Sequence, residues 1–281
     1  MHLKSLLLTL CFWLASLLSP GSGHASSVAD AAQAPSRFDR EIRLLREAAA
    51  GHRMILLGEK HATTEIPQLV GALVAELSHR EPIVLALEFP RNEQAAMQQY
   101  LASDGGPAAR AALRSGSYWQ VNGVQHDGRR NEAVFDLFEQ LRVLKGAGRD
   151  IRLLPFDTVP GATRSHHERD HAMAVYLRNQ FDADPSARFV VLAGNVHAML
   201  RRPGYAPPEM QQPMGSYLID RDAYSVNISA REGQFWGCIG GQCAAIDERP
   251  ARVDSGPAPE GDAYHFHLVL PRFSVARLLG G

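Results

Sequence analysis

The sequence predicts an α/β fold: a mostly parallel central sheet flanked by helices, with extra antiparallel strands in the C-terminal part. Three observations predict it. Four short, continuous apolar runs lie at residues 54–57, 83–87, 151–156 and 189–193. Segments with apolar residues at helical spacing separate them. Residues 215–231 and 265–271 alternate more, with no helical pattern between them. Continuous apolar runs mark parallel strands buried on both faces, and their alternation with helices is the α/β pattern.

In chain order, residues 1–25 read as a secretory signal. Lys4 supplies the positive charge, 6–18 the apolar stretch, Pro20-Gly21 the break, and Gly23-His24-Ala25 the small residues for cleavage near Ala25. The stretch is shorter than the ~20 residues that span a bilayer, so no stable membrane anchor is expected after cleavage. Cys11 follows the bulky Leu10 and is not read as a lipid-attachment site. The expected localisation is periplasmic or secreted. Residues 26–36 read as a disordered leader. Residues 37–281 read as a single α/β domain, since a chain of 281 residues with 45% hydrophobic content does not demand two cores.

Residues 37–50 then form a helix, with Ile42, Leu44 and Leu45 apolar. The first strand, 54–57, ends at Gly58. A helix over 66–77 leads to the second strand, 83–87, which ends at Glu88. Helices follow at 92–101 and 131–144, the latter closed by Gly146 and Gly148. The third strand, 151–156, ends at Asp157. A helix over 166–181 leads to the fourth strand, 189–193, ending at Gly194. Residues 215–231 and 265–271 supply the additional strands at the sheet edge, some of them antiparallel. The Pro/Gly/acid-rich segment 247–261 reads as a loop.

Charge and cysteine content narrow the function classes. A net charge of −1 gives no electrostatic case for nucleic acid or an anionic membrane. Arg129-Arg130 and Arg201-Arg202 read as solvated surface. Cleavage leaves Cys238 and Cys243, which in an exported protein are expected to form a disulfide. As a Cys-x4-Cys pair they would make half a zinc site, and no nearby His or Cys completes it.

The chemistry collects at the strand ends, where open α/β sheets bind ligands. The four ends read Gly58-Glu59-Lys60-His61, Glu88-Phe89-Pro90-Arg91, Asp157 and Gly194-Asn195-Val196-His197. Each offers a group that can bind a metal or move a proton. Glu59 also suits the N-terminus of the next helix, and Asp157 suits a turn before Pro160. Glu88 directly follows five apolar residues, so it is expected to be buried and partnered. Two imidazoles and one or two carboxylates fit a divalent metal, zinc or manganese, bound by His61, Glu88 and His197. The metal would activate a water. Without metal, one His would be the general base, with a carboxylate orienting its other nitrogen.

A competing motif is His167-Glu168-Arg169-Asp170-His171, which spells the zincin His-Glu-x-x-His. Its middle positions are charged and no third ligand follows at the metzincin spacing. The helix is read instead as starting near the cleft and contributing Arg169. There is no Gly-x-Ser-x-Gly, and no glycine-rich phosphate loop of the Walker or dinucleotide type.

Leu56-Leu57-Gly58-Glu59-Lys60-His61, Leu87-Glu88-Phe89-Pro90, Glu168-Arg169-Asp170 with Met173-Ala174, and Gly194-Asn195-Val196-His197-Ala198 occur in that order. Over roughly 40–220 the chain resembles the TIKI/TraB, erythromycin-esterase-like and ChaN haem-binding superfamily. The resemblance implies an α/β fold with one cleft. The TIKI branch implies a metal-dependent peptidase using the turns ending in His61 and His197, with Glu88, or less directly Glu59, as acidic partner. The esterase branch implies a metal-free Glu and His, here Glu59 and His61, although that branch commonly spaces them one residue further apart. The ChaN branch implies haem binding; the chain has no lipobox and no tyrosine matched to a haem ligand. The resulting expectation is a hydrolase acting on a small-molecule or peptide substrate through an ester, lactone or peptide bond. Glu59 is the expected general base, and Arg169 stabilises the anionic transition state. The alternative is a non-catalytic haem- or iron-binding protein.

Overall fold

The computed structural model describes residues 36–120, 126–204, 206, 211–239, 241–251 and 253–279. The expected signal segment and all but the last residue of the expected leader lie outside them. Helix α1 (Asp39–Ala48) precedes strand β1 (Met54–Glu59). The chain continues through α2 (Glu65–Leu77), β2 (Ile83–Pro90), α3 (Gln94–Leu101) and α4 (Pro107–Arg114). It then runs through α5 (Glu132–Gly146), β3 (Ile151–Asp157), α6 (His166–Ala183) and β4 (Arg188–Gly194). After a 3-10 helix over Met214–Arg221 come β5 (Ala223–Ala230), β6 (Gln234–Ile239), β7 (Gln242–Asp247), β8 (Gly256–Pro257) and β9 (Phe266–Leu270).

Seven strands form one sheet in the order β3-β2-β4-β1-β5-β9-β8. Its pairings are parallel except β8 on β9. β1 and β2 are buried along their whole length, as their continuous apolar sequence requires. Alternate residues feed two cores. Ile55, Leu57, Leu85 and Leu87 pack with α1, α2, α3 and α5 on one face. Met54, Leu56, Val84 and Ala86 pack with α6 and the 3-10 helix on the other. β4 lies between β1 and β2 although it follows both in sequence. The crossing leaves a crevice at the carboxyl ends of these strands, a topological switch point.

Two segments differ from their sequence reading, and one helix was not anticipated. The first part of 215–231 is 3-10 helix, and only Ala223–Ala230 is strand, paired in parallel with β1. The expected loop at 247–261 contains β8. Cys238 and Cys243 face each other across the antiparallel β6–β7 hairpin and are joined by the expected disulfide. α4 carries mostly alanine and arginine, so no apolar stripe announced it.

Close packing at the β1 end depends on Gly58. A Cβ there would lie 3.0 Å from Asn195 Cα and 3.2 Å from the Val226 carbonyl oxygen. Both are backbone atoms and cannot swing aside. Gly58→Ala is therefore expected to cost about 1–3 kcal/mol, the usual range for overpacking. Thermal melting should show a fall of several degrees. Gly146→Ala, where a Cβ meets nothing within 4 Å, is the matched control and should not lower the melting temperature.

Candidate functional site

Glu59 closes β1, and the turn after it presents His61. Two neighbours fix that turn. The Trp236 amide donates to the His61 carbonyl at 2.9 Å, and the Ala276 amide donates to the Ala62 carbonyl at 2.7 Å. Ala62 itself is left-handed, with φ of 50°. A non-glycine residue keeps that conformation only where its surroundings impose it. His61 Nδ1 lies 2.9 Å from Glu59 Oε1, and Glu59 is only 8% exposed. The buried carboxylate accepts the Nδ1 proton and leaves Nε2 as the basic nitrogen. Nε2 faces Gly194 at the end of β4. A Cβ on Gly194 would lie 3.1 Å from His61 Nε2 and 3.4 Å from Glu88 Oε2. The missing side chain is what lets the His61 ring and Glu88 approach each other.

Glu88 sits where β2 slips its register against β3, between Leu87 and Pro90. Such irregularities re-aim a side chain. Its Oε2 accepts the Gly194 amide at 2.7 Å. Its Oε1 accepts Arg169 Nη2 at 2.5 Å and Arg129 Nη1 at 3.3 Å. Asp157, at the end of β3, accepts Arg169 Nε at 2.8 Å and Nη2 at 2.7 Å, and Arg129 Nη1 at 2.8 Å. Arg129 also grips Asp127 through Nε and Nη2, at 2.9 and 2.6 Å. The result is a buried lattice of carboxylates and guanidiniums.

His197 belongs to a second His–carboxylate pair. Its Nδ1 lies 2.7 Å from Asp170 Oδ1, which also accepts the Met214 amide at 2.8 Å. Its Nε2 lies 3.0 Å from Arg169 Nη1. A guanidinium can only donate, so Nε2 accepts and Nδ1 carries the proton.

These contacts bear on three expectations. The set His61, Glu88 and His197 does not form a metal-holding group. Among the described residues no group of three His, Cys, Asp or Glu side chains is placed to hold an ion. The physical reason is Arg169, whose guanidinium bonds both Glu88 Oε1 and His197 Nε2, the atoms that would ligate. Second, four of Arg169's N–H groups are already committed to Asp157, Glu88 and His197. That leaves one of the five for a transition state. Third, Arg129 and Arg130 are not solvated surface: their side chains are 14% and 4% exposed. The zincin motif is a helix start. Ser165 accepts the Glu168 amide and Glu168 Oε2 accepts the Arg164 amide, a capping arrangement. His167 and His171 lie against the Tyr217 ring, while Arg169 and Asp170 serve the cluster.

Electrostatics separate the groups. Burial opposes charge on His61, but the hydrogen bond and charge of Glu59, helped by Glu88, outweigh it and raise its pKa above the ordinary imidazole value. Burial also opposes charge on Glu88. The guanidiniums of Arg129 and Arg169 outweigh it, and hold the Glu88 pKa well below the usual carboxylate value. Beside the cluster opens a cavity of about 400 Å³, walled by Tyr118, Asp127, Arg129, Arg130, Asp157 and Arg169 among others. His61 and His197 are not among its walls.

Sequence reasoning missed Asp127, Arg129 and Asp170 as site residues. Asp170 could have been found as the second inward position of α6, one residue after Arg169. Arg129 carried no signal beyond its charge, because the loop that brings it in has no pattern of its own.

Residues 45–143 match a protein family described as haem-binding uptake, Tiki superfamily, ChaN. No curated protein matches in sequence. Among solved structures, an erythromycin esterase mutant in its open conformation superimposes with a TM-score of 0.61 at 12% identity, covering 84% of this chain and 95% of that one. A succinoglycan biosynthesis protein gives 0.61 at 10% identity, covering 88% and 93%. A Bacillus cereus protein gives 0.57 at 10%, covering 88% and 94%. At these identities the likeness establishes the fold. The segment 45–143 thus matches the family described as haem-binding uptake, Tiki superfamily, ChaN, and the chain shares the fold of the erythromycin esterase.

Proposed function

We propose that this chain is a hydrolase in which His61 takes a proton from water while Glu59 holds its ring. One observation carries the reading: a buried carboxylate bonded to Nδ1 of a part-exposed histidine at the switch point of the sheet. The substrate is a small molecule or peptide with an ester, lactone or peptide carbonyl. Water oxygen bonds to the carbonyl carbon as its proton passes to His61 Nε2. The tetrahedral intermediate then breaks its bond to the leaving group, which recovers the proton from Nε2. Between these steps the imidazolium is stabilised by Glu59 and Glu88. Arg169 and His197 position Glu88 rather than act on substrate. Cleavage near Ala25 would place the reaction in the periplasm or outside the cell.

The test is a panel of aryl esters, lactones and short peptides with the purified mature protein. Turnover is expected, and His61→Ala should reduce it by about 10²- to 10⁴-fold, the span of general-base contributions. His61→Ala protein that keeps full turnover would remove the proposal. A metal would need Glu88 and His197 atoms that Arg169 already occupies. Dialysis against a chelator is therefore expected to leave the rate intact; loss restored by zinc or manganese would reinstate the metal-dependent reading.

A second reading has its own observation, the family match whose description names haem. Hemin titration decides it. A saturable Soret shift near one equivalent, with no turnover across the panel, would make this a haem-binding protein instead.

A further inference from the structure

The β6–β7 hairpin forms a sheet of its own, yet it reaches the site through one residue. The Trp236 amide donates to the His61 carbonyl at 2.9 Å, and its indole Nε1 donates to the His126 carbonyl at 2.5 Å. Trp236 thus ties together the turn that presents His61 and the loop that brings in Asp127 and Arg129. Gly128 lies where the two meet. A Cβ there would be 3.1 Å from both His61 Cβ and Trp236 Cδ1, so the indole packs closely against both segments. The hairpin has little else to hold its shape. Its base is fixed where the Gln234 amide donates to the Phe273 carbonyl at 3.1 Å, and Lys60 Nζ sits 4.7 Å from the centre of the Phe235 ring. Further out, β7 offers only Ala245 and Ala244, both exposed, opposite Trp236 and Gly237. A lone two-stranded hairpin is marginal in water, and small side chains add little cross-strand packing. What closes this end is the Cys238–Cys243 disulfide, two residues beyond the Trp236–Ala245 pair. Cys238 is exposed and Cys243 half-buried, so a soluble thiol can reach the bond.

We infer that the disulfide-closed hairpin is a redox-sensitive positioning element: with Cys238–Cys243 intact, Trp236 holds the His61 turn, and reduction by a dithiol releases that turn and slows turnover. Two electrons and two protons pass from the dithiol to the bond, giving two cysteine thiols and the disulfide form of the reductant. Without the cross-link the hairpin frays from its tip toward Trp236, and the His61 carbonyl loses its donor. The Ala276 amide still holds the next carbonyl, that of Ala62, so the turn loosens without unfolding. The effect on turnover rests on the hydrolase reading; the effect on the hairpin does not.

Amide hydrogen exchange and steady-state kinetics on the mature protein, before and after treatment with dithiothreitol, test both parts. Thiol titration confirms the reduction. Protection of the Trp236 amide should fall by about 10-fold or more, as loss of a cross-link closing a short loop predicts, while that of Leu57 in β1 stays unchanged. The kcat should fall by about 10-fold with KM little altered, within the 10²-fold that misplacing a catalytic group can cost, and reoxidation should restore it. The double variant Cys238→Ser/Cys243→Ser should match the reduced wild type and respond no further to dithiothreitol. If nothing in the substrate panel is turned over, the hydrolase reading fails, and the exchange comparison alone decides whether the disulfide holds Trp236 on the His61 turn. The inference is overturned if Trp236 protection survives reduction, if Leu57 loses protection to the same extent, or if an active wild type keeps its kcat when reduced.

Discussion

Arg169→Ala is expected to destabilise the domain by about 3–5 kcal/mol, the cost of removing one partner from a buried ion pair. In a domain of this size that is roughly a 10 °C fall in melting temperature. The size follows from what Arg169 leaves behind. Asp157 and Glu88, both nearly inaccessible, lose three hydrogen bonds from it, and His197 Nε2 loses its donor. Arg129 alone cannot neutralise both carboxylates, since it already serves Asp127. Arg169→Lys should recover little, because an ammonium has no planar fork to span Asp157, Glu88 and His197 together. The pairing can be isolated. In an Arg169→Ala background, Glu88→Gln should cost less than it does alone, with a coupling of at least about 1 kcal/mol. Additive effects would mean that Arg169 matters for packing and not for charge. The pH dependence has a definite sign. Glu88 has a depressed folded pKa, so its contribution is present above the unfolded carboxylate value and lost only as pH falls through the far lower folded value.

How much of this was legible follows from the kind of signal each part leaves. Parallel strands buried on both faces must be continuously apolar, so the cores of β1 to β4 could be read directly, and their ends marked Glu59, Glu88, Asp157 and Gly194. Strand order left no trace in the chain, yet it is what inserts β4 between β1 and β2 and brings Gly194 against both His61 and Glu88. The histidines were legible as candidates but not as partners of different carboxylates. A ligand set and two His–carboxylate pairs use the same residue types, and only the position of one guanidinium separates them. Arg129 looked like surface because Arg-Arg usually is. Its burial depends on Asp127, Asp157 and Glu88, which lie on three different segments.

Glu59→Gln is expected to lower turnover by about 10²-fold or more without loss of fold, and to move the pH profile in a direction that identifies its role. In the wild type, burial opposes protonation of His61, but the Glu59 hydrogen bond and charge reverse that. His61 acts as a base only when deprotonated, so the rate should rise with pH through a midpoint above 6.5. Glutamine keeps the shape and removes the charge. Its amide can also donate to Nδ1, which would place the imidazole proton on Nε2, where the water proton has to go. The variant should therefore be slow even where its histidine is fully neutral, and its midpoint should fall below that of the wild type. Stability gives a second readout with an independent sign. The raised pKa means that the charged His61–Glu59 pair stabilises the fold below pH 6.5 and loses that contribution as pH rises through the folded value. Melting curves of wild type and Glu59→Gln should thus differ most in mild acid and converge above the wild-type midpoint. A uniform loss of stability with an unmoved rate profile would assign Glu59 to packing alone and leave His61 without its orienting group.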